Sequence, residues 1–427
     1  VATQSAVDAA VLAAIDEDAL IALASDLVAI PSVSGEETPA QDFVAARLRD
    51  IGARVEQWTI DMAALSDHPA YSAEVERDTA SGVVARVGEA EPGAPVWLLD
   101  GHVDVVPPGA ADTWAVTPPF TPRLLDGALY GRGACDTKGG VAAAIHALDA
   151  IARAGVLLRG EARLTTVIGE EDGGSGTLAT LLAGAGDGVD ACVVLEPTEL
   201  SVVPAVAGAL SFRIRIRGLA AHGAMREEGV SAIEKLPVVQ AALIHLEQAR
   251  NEREADPLFG WLNRPFAICA GRLEAGDWPS SEADWLSLEG RYGVGPDEDL
   301  DAARRELEDA VAAAATTDAW LAEHPPTVEW WGGQFVPGRT GIDETVVTTM
   351  VAAATDATAA PVQLRGMPYG CDMGLTTRVG HIPTVVFGPG DIRTAHRPDE
   401  HVAVADLVAA CRTLALALVR GCDGRLA

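Results

Sequence analysis

Five separated segments of this 427-residue chain carry the side chains best suited to hold cations or to move protons. In VWLLDGHVDVVPPG, residues 96–109, an apolar run ends on His102 and Asp104. Two residues apart on an extended chain, their side chains leave the same face. An imidazole that binds a metal gives its other ring nitrogen a hydrogen-bonding partner, commonly a carboxylate, and Asp104 is placed to serve. In YGRGACDTKGGVAAAI, Asp136 follows a glycine-rich turn and precedes a helix. In VIGEEDGGSGT an apolar strand runs into Glu170 and Glu171, and in CVVLEPTEL Glu196 ends another. His396 sits in VVFGPGDIRTAHRPDEHV, in a loop after the last strand.

Singly, each has an ordinary reading: a structural His–Asp pair, a helix cap at Asp136, a solvated acidic loop at Glu170 and Glu171, an exposed histidine at 396. Together, four strand ends and one loop deliver His, Asp and Glu to what should be the same edge of one sheet. Two imidazoles with three carboxylates suit a pair of divalent ions, zinc first and cobalt or manganese next. The residual positive charge of such a pair lowers the pKa of a bridging water to about 7 and polarises a carbonyl, the work of paired-metal hydrolases. One carboxylate of the Glu170–Glu171 pair is then surplus to ligation and free to act as general base.

The elements that must position these groups alternate. SGVVARVG, APVWLLDGHVDVV, ARLTTVIG and ACVVLEP read as strands, and TPAQDFVAARLRDIG and GGVAAAIHALDAIARAG have helical periodicity. That pattern predicts an α/β domain with a mainly parallel sheet and helices on both faces. The buried strand ending on His102 would be a rigid mount for a ligand and its support. From about Leu210 the pattern becomes strand–helix–strand–strand–helix–strand, the ferredoxin-like α+β order. We expect a first catalytic part over residues 1–207, an inserted domain over 208–333, and a return to the first domain over 334–427.

Composition narrows the partners. With 31 basic and 62 acidic residues the formal net charge is −31, which repels a phosphate backbone and offers no basic stripe to nucleic acid or anionic lipid. No long apolar window occurs and the opening stretch is acidic, so a soluble cytoplasmic protein is expected, with no membrane partner. The six cysteines lie far apart with no CxxC pair, which fits a reducing compartment. GRGACDTK lacks the second glycine of a phosphate loop, and GGSGT lacks the final glycine of a serine-hydrolase elbow.

The five segments, in this order, closely resemble the dinuclear-zinc family of acetylornithine deacetylase, succinyl-diaminopimelate desuccinylase, aminoacylases and glutamate carboxypeptidase. The likeness runs over nearly the whole chain. It implies that His102 and Glu196 bind one Zn2+, that Glu171 and His396 bind the other, and that Asp136 bridges them. Asp104 would orient His102, and Glu170 would be the general base. GLAAHGAMREEGVSAIEKL is similar to the family's lid motif, whose histidine, here His222, reaches across a homodimer to polarise the substrate carbonyl. The inserted domain would thus be a lid and dimerisation domain. Arg291, in LEGRYGV, occupies the place of a substrate-carboxylate-binding arginine.

Two departures bear on substrate. GDWPSSEAD stands where several relatives have an asparagine-containing stretch. Cys371-Asp372-Met373-Gly374 stands where some deacylases read T-D-A-R, so a second carboxylate-binding arginine is not expected. WPSS and AHGAMREEG look closer to the acetylornithine-deacetylase-like branch, which also holds deformylases and amidases. A glutamate at 196 is more typical of deacylases and carboxypeptidases than of aminopeptidases. The expected activity is metal-dependent cleavage of the amide of an N-acyl amino acid or similar small molecule. The alternatives are a metallo-carboxypeptidase or dipeptidase, and an amidase or deformylase of a non-amino-acid compound.

Overall fold

A computed structural model describes residues 3–253 and 256–426. In chain order, helices Gln4–Ala13 (α1), Glu17–Val28 (α2) and Thr38–Asp50 (α3) precede strands Arg54–Thr59 (β1), Ser81–Gly88 (β2) and Val96–His102 (β3). Then come helix Lys138–Arg153 (α4), strand Glu161–Val167 (β4), helix Ser175–Leu182 (α5) and strand Ala191–Val194 (β5). Next are Gly208–Arg217 (β6), Ala232–Arg253 (α6), Ile268–Ala275 (β7), Trp285–Val294 (β8), Leu300–Ala315 (α7) and Thr327–Phe335 (β9). The chain closes with Thr345–Thr358 (α8), Thr384–Val386 (β10) and Val404–Gly421 (α9).

The described residues form two compact units. One comprises residues 3–205, 339–366 and 372–426, and the other residues 206–338 and 367–371. The first is built on a six-stranded sheet of order β1-β2-β4-β3-β5-β10. Strands β4, β3, β5 and β10 are mutually parallel, while β2 pairs antiparallel with both β1 and β4. This is the mainly parallel α/β sheet that the alternating pattern predicts. Its antiparallel edge arises because only the short helix Met62–Ser66 and irregular chain separate β1 from β2.

All seven residues of β3 are buried, so both faces of its pleat are covered. The first ten residues of α4, KGGVAAAIHA, are buried as well. Small side chains let this helix lie close to the sheet: a Cβ at Gly101 of β3 would come within 2.9 Å of the Val141 side chain and 3.0 Å of Leu195. The C-terminal ends of β3, β4, β5 and β10 lie side by side, where an open parallel sheet places its ligands.

In the second unit the sheet order is β7-β8-β6-β9, with every pair antiparallel. That order, with the β-α-β-β-α-β chain sequence, is ferredoxin-like. Strand β6 alternates strictly: Leu210, Phe212, Ile214 and Ile216 enter a core with Val239, Leu243, Leu307 and Val311, while Arg215 and Arg217 are exposed.

Gly101→Ala should destabilise the first unit by about 1–3 kcal/mol, the usual cost of overpacking, with no side-chain contact removed. Chemical denaturation checks this; unchanged stability would show that α4 can shift away from β3.

Candidate metal centre

Each candidate ligand stands at the end of a buried strand or on a turn pinned beside it. His102 is the last residue of β3, Glu170 and Glu171 follow β4, and Glu196 follows β5. Asp136 lies on the turn before α4, and His396 on the loop between β10 and α9. His102, Asp104, Asp136, Glu170 and Glu196 are buried, Glu171 is half-buried and His396 is exposed.

These side chains converge on Asp136. His102 Nε2 lies 3.1 Å from Asp136 Oδ1 and 3.7 Å from Glu196 Oε1. His396 Nε2 lies 3.3 Å from Asp136 Oδ2 and 2.9 Å from Glu171 Oε2. Two groups result, His102–Asp136–Glu196 and Asp136–Glu171–His396, each with its donor atoms within 4.8 Å of one another. The two oxygens of Asp136 face different histidines.

The electrostatics ask for cations. Burial, and then Glu196, pushes the Glu170 carboxyl well above the ordinary carboxylate range. Burial likewise raises Glu196 and Glu171, each also repelled by Asp136. On His102, burial favours the neutral ring but is outweighed by Glu196, Asp136 and Asp104. On His396, burial is again outweighed, by Asp136 and Glu171, and the ring is raised to about 11. With protein atoms alone the carboxylates hold protons on both imidazoles, the positions where divalent ions would displace them. One nitrogen and two carboxylate donors in each group form a donor set that fits zinc, with cobalt and manganese as hard-donor alternatives.

Asp104 meets His102 in two ways: the ring Nδ1 lies 2.9 Å from the Asp104 main-chain carbonyl, and the nearest carboxylate oxygen is 3.7 Å away. The carboxylate is taken up by the next segment, accepting the Glu170 N–H at 3.2 Å and the Glu171 N–H at 3.1 Å. Asp104 therefore steadies His102 through its backbone and the Glu170–Glu171 turn through its side chain.

The turn has a second buttress that the sequence did not reveal. Arg77, its side chain 0% exposed, donates to Glu37 at 2.8 Å and to both oxygens of Asp172 at 2.8 and 3.0 Å. Asp172 also accepts the main-chain N–H groups of Glu74 and Val75. Gly169, with φ +65°, lets the guanidinium approach: a Cβ there would be 2.7 Å from it.

On the other side, Glu400 is fully buried and accepts the N–H groups of Cys135 and Asp136 at 3.0 and 3.1 Å. Its second oxygen accepts from Arg132 at 2.5 Å. Charged residues in irregular chain carry no periodicity, and nothing in the sequence paired Glu37, Arg77, Arg132, Asp172 or Glu400 with these ligands.

His222 and Arg291 belong to the second unit, and the two candidate ligand groups to the first. His222 is exposed, and its Nδ1 accepts the Ala224 N–H at 3.1 Å. Arg291 lies on β8 and donates to the Pro368 carbonyl at 2.5 Å; among the described residues it meets no carboxylate.

Comparison with known proteins bears on this arrangement. The model of peptidase family M20/M25/M40 matches residues 98–420. An acetylornithine deacetylase of Myxococcus xanthus is 30% identical over 424 residues, 95% of this chain and 98% of its own. An N-formyl-4-amino-5-aminomethyl-2-methylpyrimidine deformylase of Halalkalibacterium halodurans is 26% identical over 432 residues, 96% of each chain. Among solved structures, the dipeptidase Dug1p of Saccharomyces cerevisiae superposes with a TM-score of 0.77 at 14% identity, over 97% of this chain and 98% of that one. Human carnosine dipeptidase 1 gives 0.73 at 17% identity, over 97% and 100%. At those identities the two structures speak for the fold alone. The match over most of the chain, and the paired histidine–carboxylate groups at the strand ends of its parallel sheet, make this protein a member of peptidase family M20/M25/M40.

Proposed function

We propose that this metal-dependent amide hydrolase cleaves a small N-acyl compound, an N-acyl amino acid or a near analogue, at the paired groups around Asp136, with Glu170 as general base. The observation that carries this is one carboxylate facing two histidines, with an unligated glutamate on the adjoining turn. His102 and Glu196 would hold one Zn2+, Glu171 and His396 a second, and Asp136 both. Such ions supply a Lewis acid for the amide carbonyl and a water that is acidic near neutral pH.

The chain's own residues supply the rest. Burial and neighbouring carboxylates raise the proton affinity of Glu170, which suits a group that takes a proton from the attacking water and passes it to the leaving nitrogen. Asp104 fixes the main chain of that turn, so the carboxylate arrives in place. The second unit would be the lid, with His222 stabilising negative charge that develops on the carbonyl oxygen. Arg291 would receive a carboxylate of the substrate.

A homodimer through the lid is supported by β7, an edge strand with no neighbouring strand on its outer side among the described residues, and by Trp278, 69% exposed. A reducing, cytoplasmic location is supported by the absence of any disulfide among the described cysteines. Among the described residues no helix is long and apolar enough to cross a membrane.

A second reading has its own support. The full-length similarity to a formyl-pyrimidine deformylase, with Met373-Gly374 in place of an arginine-bearing motif, favours a substrate without a carboxylate.

Glu170→Gln should lower kcat by about 10²–10⁴-fold with bound metal unchanged, read by turnover and metal analysis together. Unchanged turnover refutes the assigned base. Arg291→Ala should raise KM at least tenfold for N-acetyl amino acids if it binds their carboxylate. If the N-formyl aminomethylpyrimidine is the better substrate and its KM does not move, the second reading holds.

A further inference from the structure

The loop that carries His396 and the turn that carries Asp136 are separated by more than 250 positions in sequence, yet one side chain joins them. Glu400, four residues after His396, begins the return of the chain into the strand His401–Ala403, which pairs with Ala128–Tyr130. The Gly131 N–H donates to the Glu400 carbonyl at 2.9 Å, so the main chain is fixed at that point. From there its carboxylate reaches under the Asp136 turn. Oε1 accepts the N–H groups of Cys135 and Asp136, and Oε2 accepts from Arg132, whose guanidinium also lies 5.3 Å from the Trp114 ring centre.

The rest of the loop is tied down as well. Asp399 accepts the N–H groups of Ala115 and Val116 at 3.0 and 2.9 Å, and the Asp391 carbonyl accepts from Cys135 Sγ at 3.4 Å. Between these ties, His396 is held in the left-handed region at φ +59°. A non-glycine residue stays there only where its surroundings over-determine it.

We propose that Glu400 is a positioning residue for the metal centre. Its carboxylate fixes the main chain of Asp136 against the loop bearing His396, so that Asp136 Oδ2 and His396 Nε2 keep the separation that lets both serve one ion. This rests on the metal-centre reading given above.

The chemistry requires a carboxylate in particular. All three partners of Glu400 are donors, and a carboxylate accepts on both oxygens. A glutamine must turn its NH2 either toward Arg132 or toward the two main-chain N–H groups, and either way donor meets buried donor. Removing Arg132 at the same time relieves that conflict: in Glu400→Gln combined with Arg132→Met, the amide oxygen can face the two N–H groups and the NH2 the vacated space.

The test is titration of the metal-free protein with Co2+ alone, followed by visible absorption, beside thermal unfolding and steady-state kinetics. Wild type should bind two equivalents. E400Q should bind Co2+ about 10–100-fold more weakly, the usual cost of losing a residue that holds a ligand in place, with kcat lowered and KM little changed. The double variant E400Q/R132M should recover much of the lost affinity, and R132M alone, which leaves the Glu400 carboxylate on its two main-chain N–H groups but without a counter-charge, should melt below wild type yet bind Co2+ nearly as tightly. A role in stability alone predicts the reverse, affinity following the melting temperature. If E400Q does not fold, the double variant carries the test, since it leaves no buried charge unpaired.

Co2+ binding by E400Q equal to wild type, or a double variant that binds no better than the single, overturns the proposal. A wild-type protein that binds no Co2+ at all overturns the metal-centre reading and the clamp with it.

Discussion

Mutual repulsion among buried carboxylates is the constraint on which this protein is organised. Asp104, Asp136, Glu170 and Glu196 are all buried at one end of the sheet, with Glu171 half-buried beside them. Two like charges about 4 Å apart repel by about 4 kcal/mol at an effective dielectric constant near 20, a large share of a domain's net stability. No packing of the surrounding strands offsets several such terms. Positive charge relieves the repulsion, as protons on the carboxyls, on His102 and on His396, or as divalent ions. Metal binding and the integrity of this edge of the sheet are therefore one equilibrium.

The chain's own permanent cations are kept for the supports. Arg77 neutralises Glu37 and Asp172, and Arg132 neutralises Glu400. In both cases the guanidinium engages carboxylates that hold main-chain N–H groups and makes no ion pair with a ligand. An arginine among the ligands would occupy the lone pairs that ions need. Placed one layer back, it leaves Asp104 to accept the N–H groups of Glu170 and Glu171, and Glu400 those of Cys135 and Asp136. The same economy appears where burial leaves too little positive charge. Thr177 brings one hydroxyl between Asp372 at 2.7 Å and Asp100 at 3.2 Å, and burial pushes Asp372 well up and Asp100 to about 6. The Thr165 hydroxyl donates to the other oxygen of Asp100 at 2.5 Å, so each carboxyl of the pair has a hydroxyl beside it.

The parts legible in the sequence are those that strict spacing dictates. The apolar run of β3 announces a buried strand because every one of its residues is inside, and the alternation of β6 announces a sheet with one wet face. His102, Glu170, Glu171 and Glu196 could be read as strand-end groups for the same reason. Spacing tells which face a side chain leaves, however, and not which of its atoms meets a partner. At Asp104 the chain turns after β3 and brings the main-chain carbonyl to His102 Nδ1 at 2.9 Å, nearer than the carboxylate at 3.7 Å. Glu37, Arg77 and Glu400 lie in irregular segments whose polar residues look solvated in one dimension. Their burial depends on contacts 40 to 268 positions away.

Helix α3 shows how far the support of the Glu170–Glu171 turn extends. Glu37 stands at its N-terminal boundary, and Gln41, four residues on, lies on the same side of the helix. Gln41 donates to the Thr166 carbonyl at 2.6 Å and accepts from the Thr166 hydroxyl at 2.5 Å, near the end of β4. Glu37 meets Arg77 beneath Gly169, just past that end. One helix thus fixes the last residues of β4 and, through Arg77 and Asp172, the turn that presents Glu170 and Glu171. Glu37, Gln41 and Arg77 all precede residue 98, where the family match begins, whereas every candidate ligand lies inside it. The turn that presents the proposed base is steadied both by Asp104 and by chain that precedes β3, so changes in α3 or around Arg77 reach Glu170 without touching a candidate ligand.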